Sequence, residues 1–361
     1  MPADESPGQQ PHRGRGAVRN VAGRFERLQV VPFDDGWESL DEAPPRLQTI
    51  IAEEPARTIL TANDSPDVPF EQSINPYRGC EHGCIYCFAR PTHAYWNLSP
   101  GLDFESRIFA KQTAPELLRQ ALRRKGYRPT PIALGTNTDP YQPVERRLRV
   151  TRGLLEVLRA HRHPFSIVTK SNLVLRDVDL LVPMAKAGLA AVYFSITTLD
   201  RTLARRMEPR APTPERRLQA MAGLADQGVP VGVLASPMIP GLNDSELDRI
   251  LEAAAAAGAG SANYILLRLP HEVRALFVEW LETHYPLKKE KVLGLLREMR
   301  GGRLNDPQFG LRMRGTGPYA DLLNQRFCNA CRRLHLERER PELDPSQFRV
   351  PLQSGDQPSL F

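Results

Sequence analysis

Cysteine is scarce in this chain. Only five of its 361 residues are Cys, and none falls between Cys87 and Cys328. A disulfide framework spread over the fold is therefore excluded, and a reducing cytoplasm is the expected compartment. No apolar run approaches the roughly 20 residues that a membrane-spanning helix requires, so no membrane partner is expected. The opening stretch Met1 to Gln10 is polar and contains proline, with no apolar segment after it, unlike a secretory signal. Nor does one sign of charge dominate. Forty-eight Lys and Arg against 42 Asp and Glu leave +6, which permits nucleic-acid binding without requiring it.

The basic residues are mostly Arg, and local clustering says more than the total. Arg13, Arg15, Arg19, Arg24 and Arg27 form a basic N-terminal arm, and Arg332, Arg333, Arg338 and Arg340 a second patch. Residues 1–57 are rich in Pro, Gly and charge without sustained periodicity and read as a flexible basic arm and linker, with ordered structure beginning near Thr58.

From residue 58 to 270 apolar β-type runs alternate with helical stretches, the pattern of a parallel sheet with covering helices. The strands are expected at Gln72 to Tyr77, Ile132 to Asn137, Phe165 to Thr169, Ala191 to Thr197, Val229 to Leu234 and Ala262 to Leu267. Helices are expected at Pro115 to Lys125, Arg147 to Ala160, Val178 to Ala187, Pro214 to Gln227 and Ser245 to Ala257. Thr213-Pro214 supplies a cap followed by Pro at the first helical position. Six β/α repeats suggest an α/β fold built as a partial six-stranded barrel rather than the closed eight; a doubly wound open sheet is the alternative. Residues 271–340 read as a helical extension, with helices near Glu272 to His284 and Lys288 to Arg300, and residues 341–361 as a polar, Pro-broken tail.

The run Arg78-Gly79-Cys80-Glu81-His82-Gly83-Cys84-Ile85-Tyr86-Cys87 packs three thiols into eight positions of a polar loop, a spacing suited to a metal centre. Structural zinc and ordinary ferredoxin clusters take four protein ligands, and no further Cys follows until Cys328. A zinc site completed by His82 or His93 is one reading. A C-x3-C-x2-C triplet with an aromatic before its last Cys instead resembles the radical S-adenosylmethionine (SAM) superfamily. That resemblance implies a [4Fe–4S] cluster on Cys80, Cys84 and Cys87, with SAM chelating the one iron that lacks a protein ligand.

In a parallel β/α barrel the reactive groups gather at the C-terminal ends of the strands. Tyr86 can pack against an adenine. The loop Gly135-Thr136-Asn137-Thr138-Asp139-Pro140-Tyr141-Gln142-Pro143-Val144-Glu145 sits, by the resemblance, where the SAM amino group is held, with Asp139 or Glu145 adding charge; a capped turn is the alternative. Lys170 in Thr169-Lys170-Ser171 and Ser195 in Ser195-Ile196-Thr197-Thr198 place polar groups at the same rim. Arg210 is a candidate to clamp the SAM carboxylate through its fork, in competition with Arg216. Ile239, in Ser236-Pro237-Met238-Ile239-Pro240-Gly241, matches the superfamily's adenine-contacting turn.

Ser73-Ile74-Asn75-Pro76-Tyr77-Arg78-Gly79-Cys80, together with Thr138-Asp139-Pro140-Tyr141-Gln142-Pro143, narrows the resemblance to the branch related to spore photoproduct lyase, a DNA repair enzyme. The better-known lyase uses a Cys well after the cluster as hydrogen donor, whereas this chain has none from 88 to 327. The resemblance implies an enzyme that cleaves SAM reductively to a 5′-deoxyadenosyl radical, drawing its electron from a flavodoxin- or ferredoxin-type donor. That radical would abstract hydrogen from a nucleic-acid base in repair or modification. Modification of a protein or small molecule, or a non-catalytic cluster-bearing scaffold, are the rival readings. Cys328-Asn329-Ala330-Cys331, with His335 near, reads as a redox pair, half of a shared metal site, or two ordinary buried thiols. The terminal Gln357-Pro358-Ser359-Leu360-Phe361 is similar to the peptide by which bacterial repair proteins dock on the DNA polymerase sliding clamp.

Overall fold

A computed structural model of the chain describes residues 12–26 and 47–351. Its principal sheet is built from β2 (Leu60–Ala62), β3 (Gln72–Ile74), β6 (Ile132–Leu134), β7 (Phe165–Thr169), β8 (Ala190–Ser195), β9 (Val231–Met238) and β10 (Ser261–Leu266). Their order is β10-β9-β8-β7-β6-β3-β2. All neighbours from β3 to β10 pair in parallel, and β2 joins the β3 edge antiparallel. The order of the parallel strands never reverses, so right-handed crossovers carry the covering helices to one face. A doubly wound sheet would reverse. No pairing joins β10 back to β3 or β2, and the sheet stays open.

Strands β6 and β8 are buried throughout and almost wholly apolar, as parallel strands covered by helices are. The helix expected over Arg147 to Ala160 is instead two, Glu145–Leu148 and Val150–Ala160, because Arg149 adopts a left-handed conformation with φ of 54°. The buried Glu145 carboxylate fills the break by accepting from the Thr151 and Arg152 amides. Helix Pro214–Ala225 begins as its sequence suggests, with Thr213 accepting from the Arg216 amide and Pro first.

A second, three-stranded sheet that the sequence reading missed has the order β1 (Ile50–Glu53), β5 (Arg107–Ala110), β4 (Tyr77–Arg78). It flanks the cysteine loop. Ordered structure thus begins before Thr58, and the flexible-arm expectation does not hold for residues 12–26, where Arg15, Ala17 and Val18 are buried. The polar-tail expectation also fails over part of its span. Leu343 is buried on Ala191 and Tyr193, and Phe348 packs against Tyr127 and His163. Helix Pro318–Leu334 lies within the expected helical extension, beyond the two helices singled out there. Arg27 and the peptide Gln357 to Phe361 lie outside the described residues.

The largest core lies between the sheet and its helices. A second apolar cluster positions the site. It joins Cys84, Ile85 and Tyr86 to Ile239 and to helices Val273–His284 and Lys289–Glu298, so the C-terminal helices wall the cysteine loop.

Candidate metal centre

The cysteine loop leaves β4 through Gly79, whose φ is +77° and whose missing Cβ would lie 2.9 Å from the Phe104 carbonyl oxygen. The Cys80 amide donates to that carbonyl at 2.9 Å. Gly83 has φ of +67°, and a Cβ there would approach Glu105 Oε2 to 2.6 Å. Both positions therefore require glycine. Arg90, wholly buried, holds the loop with all of its donor nitrogens. Nε reaches the Cys84 carbonyl at 2.8 Å, Nη1 the Pro100 and Gly101 carbonyls, and Nη2 the Gly83 carbonyl and Glu105. The Glu105 carboxylate also accepts from the Gly16 and Ala17 amides at 2.8 Å, which staples the N-terminal segment over the loop.

Cys80 and Cys84 are buried, Cys87 is partly exposed, and all three are free thiols. Burial raises the pKa of each: Cys80 well above the ordinary thiol range, Cys84 to about 12, and Cys87 upward. Thiols so placed ionise only when a cation joins them, as iron does on binding. Among the described residues no three His, Cys, Asp or Glu side chains converge closely enough to hold one metal ion. A four-iron cluster instead spreads its thiolates over separate irons. The histidines weighed as a fourth ligand are turned elsewhere: His82 Nδ1 lies 3.3 Å from Asp139 Oδ2, and His93 Nε2 lies 3.1 Å from the Arg107 carbonyl. The residues present fit a cluster with three protein ligands and one iron open.

The polar loop after β6 is a tightly bonded turn. Gly135, with φ of +90°, allows the Val168 carbonyl to approach; a Cβ would lie 2.2 Å from it. Thr136 and the Asn137 amide bond to the Asn75 side chain. Asp139 accepts from the Tyr141 amide, Thr169 Oγ1 and the Lys170 amide. Burial alone would raise its pKa, but His82, the Lys170 amide and Thr169 outweigh it and bring it down to about 2. The charges expected to meet an ammonium are thus already engaged: Asp139 as described, Glu145 by Tyr77, Arg176 and the helix break it fills. Thr138 Oγ1 is buried and has no partner. Gln142, which the sequence reading gave no role, accepts from the Glu81 amide at 2.9 Å and donates to the Gly79 carbonyl at 3.1 Å, tying this turn to the cysteine loop.

Tyr86 does not end in open space. Its hydroxyl donates to Glu208, and Thr197 Oγ1 lies 3.1 Å away. Glu208 also accepts from Arg217; burial opposes its charge, but Arg217 and Lys170 hold its pKa down to about 2. Lys170 Nζ sits 5.7 Å from the Tyr86 ring centroid, and no hydrogen bond from it is found among the described residues. Ser195 Oγ donates to the Ser236 carbonyl, and its own carbonyl accepts from Arg217. Arg210 is a correction: its guanidinium is taken by Thr49 Oγ1 and Glu81, both at 2.9 Å, so it braces the cysteine loop. Arg216 is exposed, whereas its neighbour Arg217 is buried and pairs with Glu208. Ile239 is fully buried, its amide 2.6 Å from Asn243 Oδ1, and Asn243 in turn donates to the Thr197 and Pro237 carbonyls.

Cys328 and Cys331 lie one turn apart on helix Pro318–Leu334. Cys331 is in the main core with its thiol pushed up to about 11 by burial, and Cys328 Sγ accepts from Arg338 at 3.4 Å. Arg333 pairs with Glu252 and Arg340 stacks over Tyr193, so the second basic patch is largely committed to internal contacts.

The family description of the radical SAM superfamily matches residues 74–254. The chain belongs to that superfamily, whose enzymes use a [4Fe–4S] cluster and SAM. Uncharacterized proteins of Mycobacterium tuberculosis and Mycobacterium bovis are 39% identical over 221 residues, covering 61% of this chain and 65% of theirs. The match thus spans just under two thirds of those relatives. An uncharacterized protein of Methanocaldococcus jannaschii is 33% identical over 173 residues, covering 48% of this chain and 62% of its own. Among solved structures, a spore photoproduct lyase complexed with dinucleoside spore photoproduct superposes with a TM-score of 0.57 at 17% identity, covering 79% of each chain. That likeness is one of fold.

Proposed function

We propose that this chain cleaves SAM reductively at a [4Fe–4S] cluster on Cys80, Cys84 and Cys87, and directs the hydrogen abstraction that follows at a nucleic-acid base. When bound, cluster and SAM together supply a 5′-deoxyadenosyl radical. The chain's own part is to hold and orient. Arg90 and Glu105 fix the loop. The Lys170 ammonium, which makes no hydrogen bond among the described residues, is suited to the SAM carboxylate, and the buried Thr138 hydroxyl to its amino group. Ile239 packs in the apolar cluster with Cys84, Ile85 and Tyr86 beside the loop, and the sheet reads as an open, partial barrel.

One observation carries the substrate class. The segment following Cys87 exposes three aromatic rings, Phe88, Tyr95 and Trp96. Each is faced by a guanidinium: Arg268 at 5.7 Å, Arg24 at 5.6 Å and Arg78 at 4.7 Å. Exposed aromatic faces are how single-stranded or extruded bases are stacked, and of these three guanidinium groups it is Arg268, with no carboxylate in ion-pair range among the described residues, that is free to neutralise a phosphate. The structural neighbour complexed with a dinucleoside lesion supports the same substrate class. Reversal of that lesion through a Cys hydrogen donor is not included, since residues 88–327 contain no Cys. A flavodoxin- or ferredoxin-type donor supplies the electron, and the Gln357 to Phe361 peptide adds a docking contact to the sliding clamp.

The test is anaerobic reconstitution followed by deoxyadenosine measurement with dithionite, with and without single-stranded oligonucleotide. Stimulation by the oligonucleotide, and its crosslinking to residues 88–96, is the expected result. Stimulation by peptides alone would move the substrate to another class.

A further inference from the structure

Arg268 and Arg300, which flank the end of β10, differ from the buried guanidinium groups around the cysteine loop and the helix break. Arg90, Arg176 and Arg217 each meet a carboxylate. Arg300 is only 2% exposed; its Nη2 donates to the Leu267 carbonyl at 2.7 Å and the Arg312 carbonyl at 3.1 Å, while Nε and Nη1 have no partner. Arg268 Nε is likewise buried without a partner, and its Nη1 reaches only Met313 Sδ, at 3.8 Å. Neither has a carboxylate in ion-pair range among the described residues. The adjacent Arg312 does not relieve them, because its own fork is spent on Asp67.

An unpaired buried charge and orphaned buried donors are both strongly unfavourable, so such groups are retained where something outside the chain completes them. Arginine cannot escape by losing its proton. Even Arg300, lowered to about 10 by burial and by the charge of Arg268, stays ionised at neutral pH. The open donors come from two separate forks, which suits the several oxygens of a tetrahedral anion. Arg268 also lies 5.7 Å from the ring of Phe88, which is 48% exposed and follows the third cluster cysteine. A pocket of about 600 Å³ opens beside Leu269, lined by His271, Arg274, Arg297, Arg303 and Asn305, and extends the positive surface.

We propose that Arg268 and Arg300 form a phosphate-binding site that anchors the nucleotide unit whose base stacks at Phe88. The anion site stands on the geometry; its assignment to a nucleic-acid phosphate rests on the proposed substrate class.

The test uses the full chain, anaerobically reconstituted, as wild type, Arg268→Met and the conservative Arg300→Lys, each checked for wild-type iron content and circular dichroism. Binding of a fluorescent single-stranded oligonucleotide is read across a salt series, beside titrations of inorganic phosphate and of SAM. Arg268→Met should weaken oligonucleotide binding by about tenfold or more and lower the slope of log affinity against log salt by about one, with SAM affinity unchanged. Folded variants that bind oligonucleotide and phosphate like wild type overturn the site, as does a loss that falls on SAM instead. If wild type binds inorganic phosphate through Arg268 but no oligonucleotide, the anion site stands and the nucleic-acid reading fails.

Discussion

The cysteine loop and the C-terminal end of β10 meet where Arg268 faces Phe88, yet they treat buried cations in opposite ways. On the cysteine side Arg90 spends every donor nitrogen on the chain and meets Glu105, and Arg217 meets Glu208. On the β10 side Arg268 and Arg300 keep donors unmet. A charge satisfied by the chain makes a loop rigid in advance of its cofactor. A charge left unsatisfied is held for something that arrives.

The comparison breaks first if the cysteine side holds nothing. Cys80→Ala, Cys84→Ala and Cys87→Ala should each abolish both cluster absorbance after reconstitution and SAM cleavage, because the nearby His82 and His93 face Asp139 and the Arg107 carbonyl rather than standing in for a lost thiolate. Persistence of deoxyadenosine formation at the wild-type rate in any of the three would remove the metal centre.

The stability of two arginine variants sharpens it next. Arg90→Met leaves Glu105 buried without its cation and should cost about 3–5 kcal/mol in chemical denaturation. Arg300→Met loses two bonds to carbonyls but relieves a desolvated charge, so its cost should stay within about 1–2 kcal/mol. Equal losses would show that the two guanidinium groups do the same structural work.

A buried base that can discharge supplies a third case. Burial lowers His163 to about 4, despite its bond to the Pro164 carbonyl, and Tyr127 Oη lies 2.8 Å from its Nε2. The unfolded chain binds this proton from about pH 6.5, the folded one only near 4, so the unfolded state carries more protons between them. Stability should therefore fall as pH drops from about 6.5 to about 4, by up to about 3 kcal/mol from this residue. His163→Phe should flatten that stretch of the denaturation curve; an unaltered pH dependence would show that His163 is not the group responsible.

Much of this was legible in the sequence, and what was not has a common cause. A strand such as β8 announces itself because parallel strands covered by helices are nearly continuous apolar runs. The cysteine triplet is equally plain, since spacing alone carries it. Partnership is another matter. Glu105 is 15 residues from Arg90 and 89 from Gly16, and nothing local joins them. The same reason turned Arg210 into a proposed carboxylate clamp, when its true neighbours, Glu81 and Thr49, lie far off in the chain. Residues 12–26 looked like a flexible arm because their order comes from Glu105 and the loop beneath, not from any periodicity of their own.

That arm gives the smallest effect. Its arginines cluster as a basic arm in sequence, but Arg15 is buried and bonds to the Glu105 carbonyl, Arg19 pairs with Glu279 at 2.8 Å, and Arg24 faces Glu272. An Arg already beside a carboxylate brings little net charge to a phosphate. The Arg19–Glu279 pair is about half exposed on the Arg side, where such pairs are worth at most about 1 kcal/mol. Arg19→Ala should therefore change stability by less than about 0.5 kcal/mol. It should also shift the salt slope of oligonucleotide binding by well under the one unit expected of Arg268→Met. A full unit lost on Arg19→Ala would return the N-terminal segment to the nucleic-acid interface and show that a cation paired in the free protein can exchange its carboxylate for a phosphate.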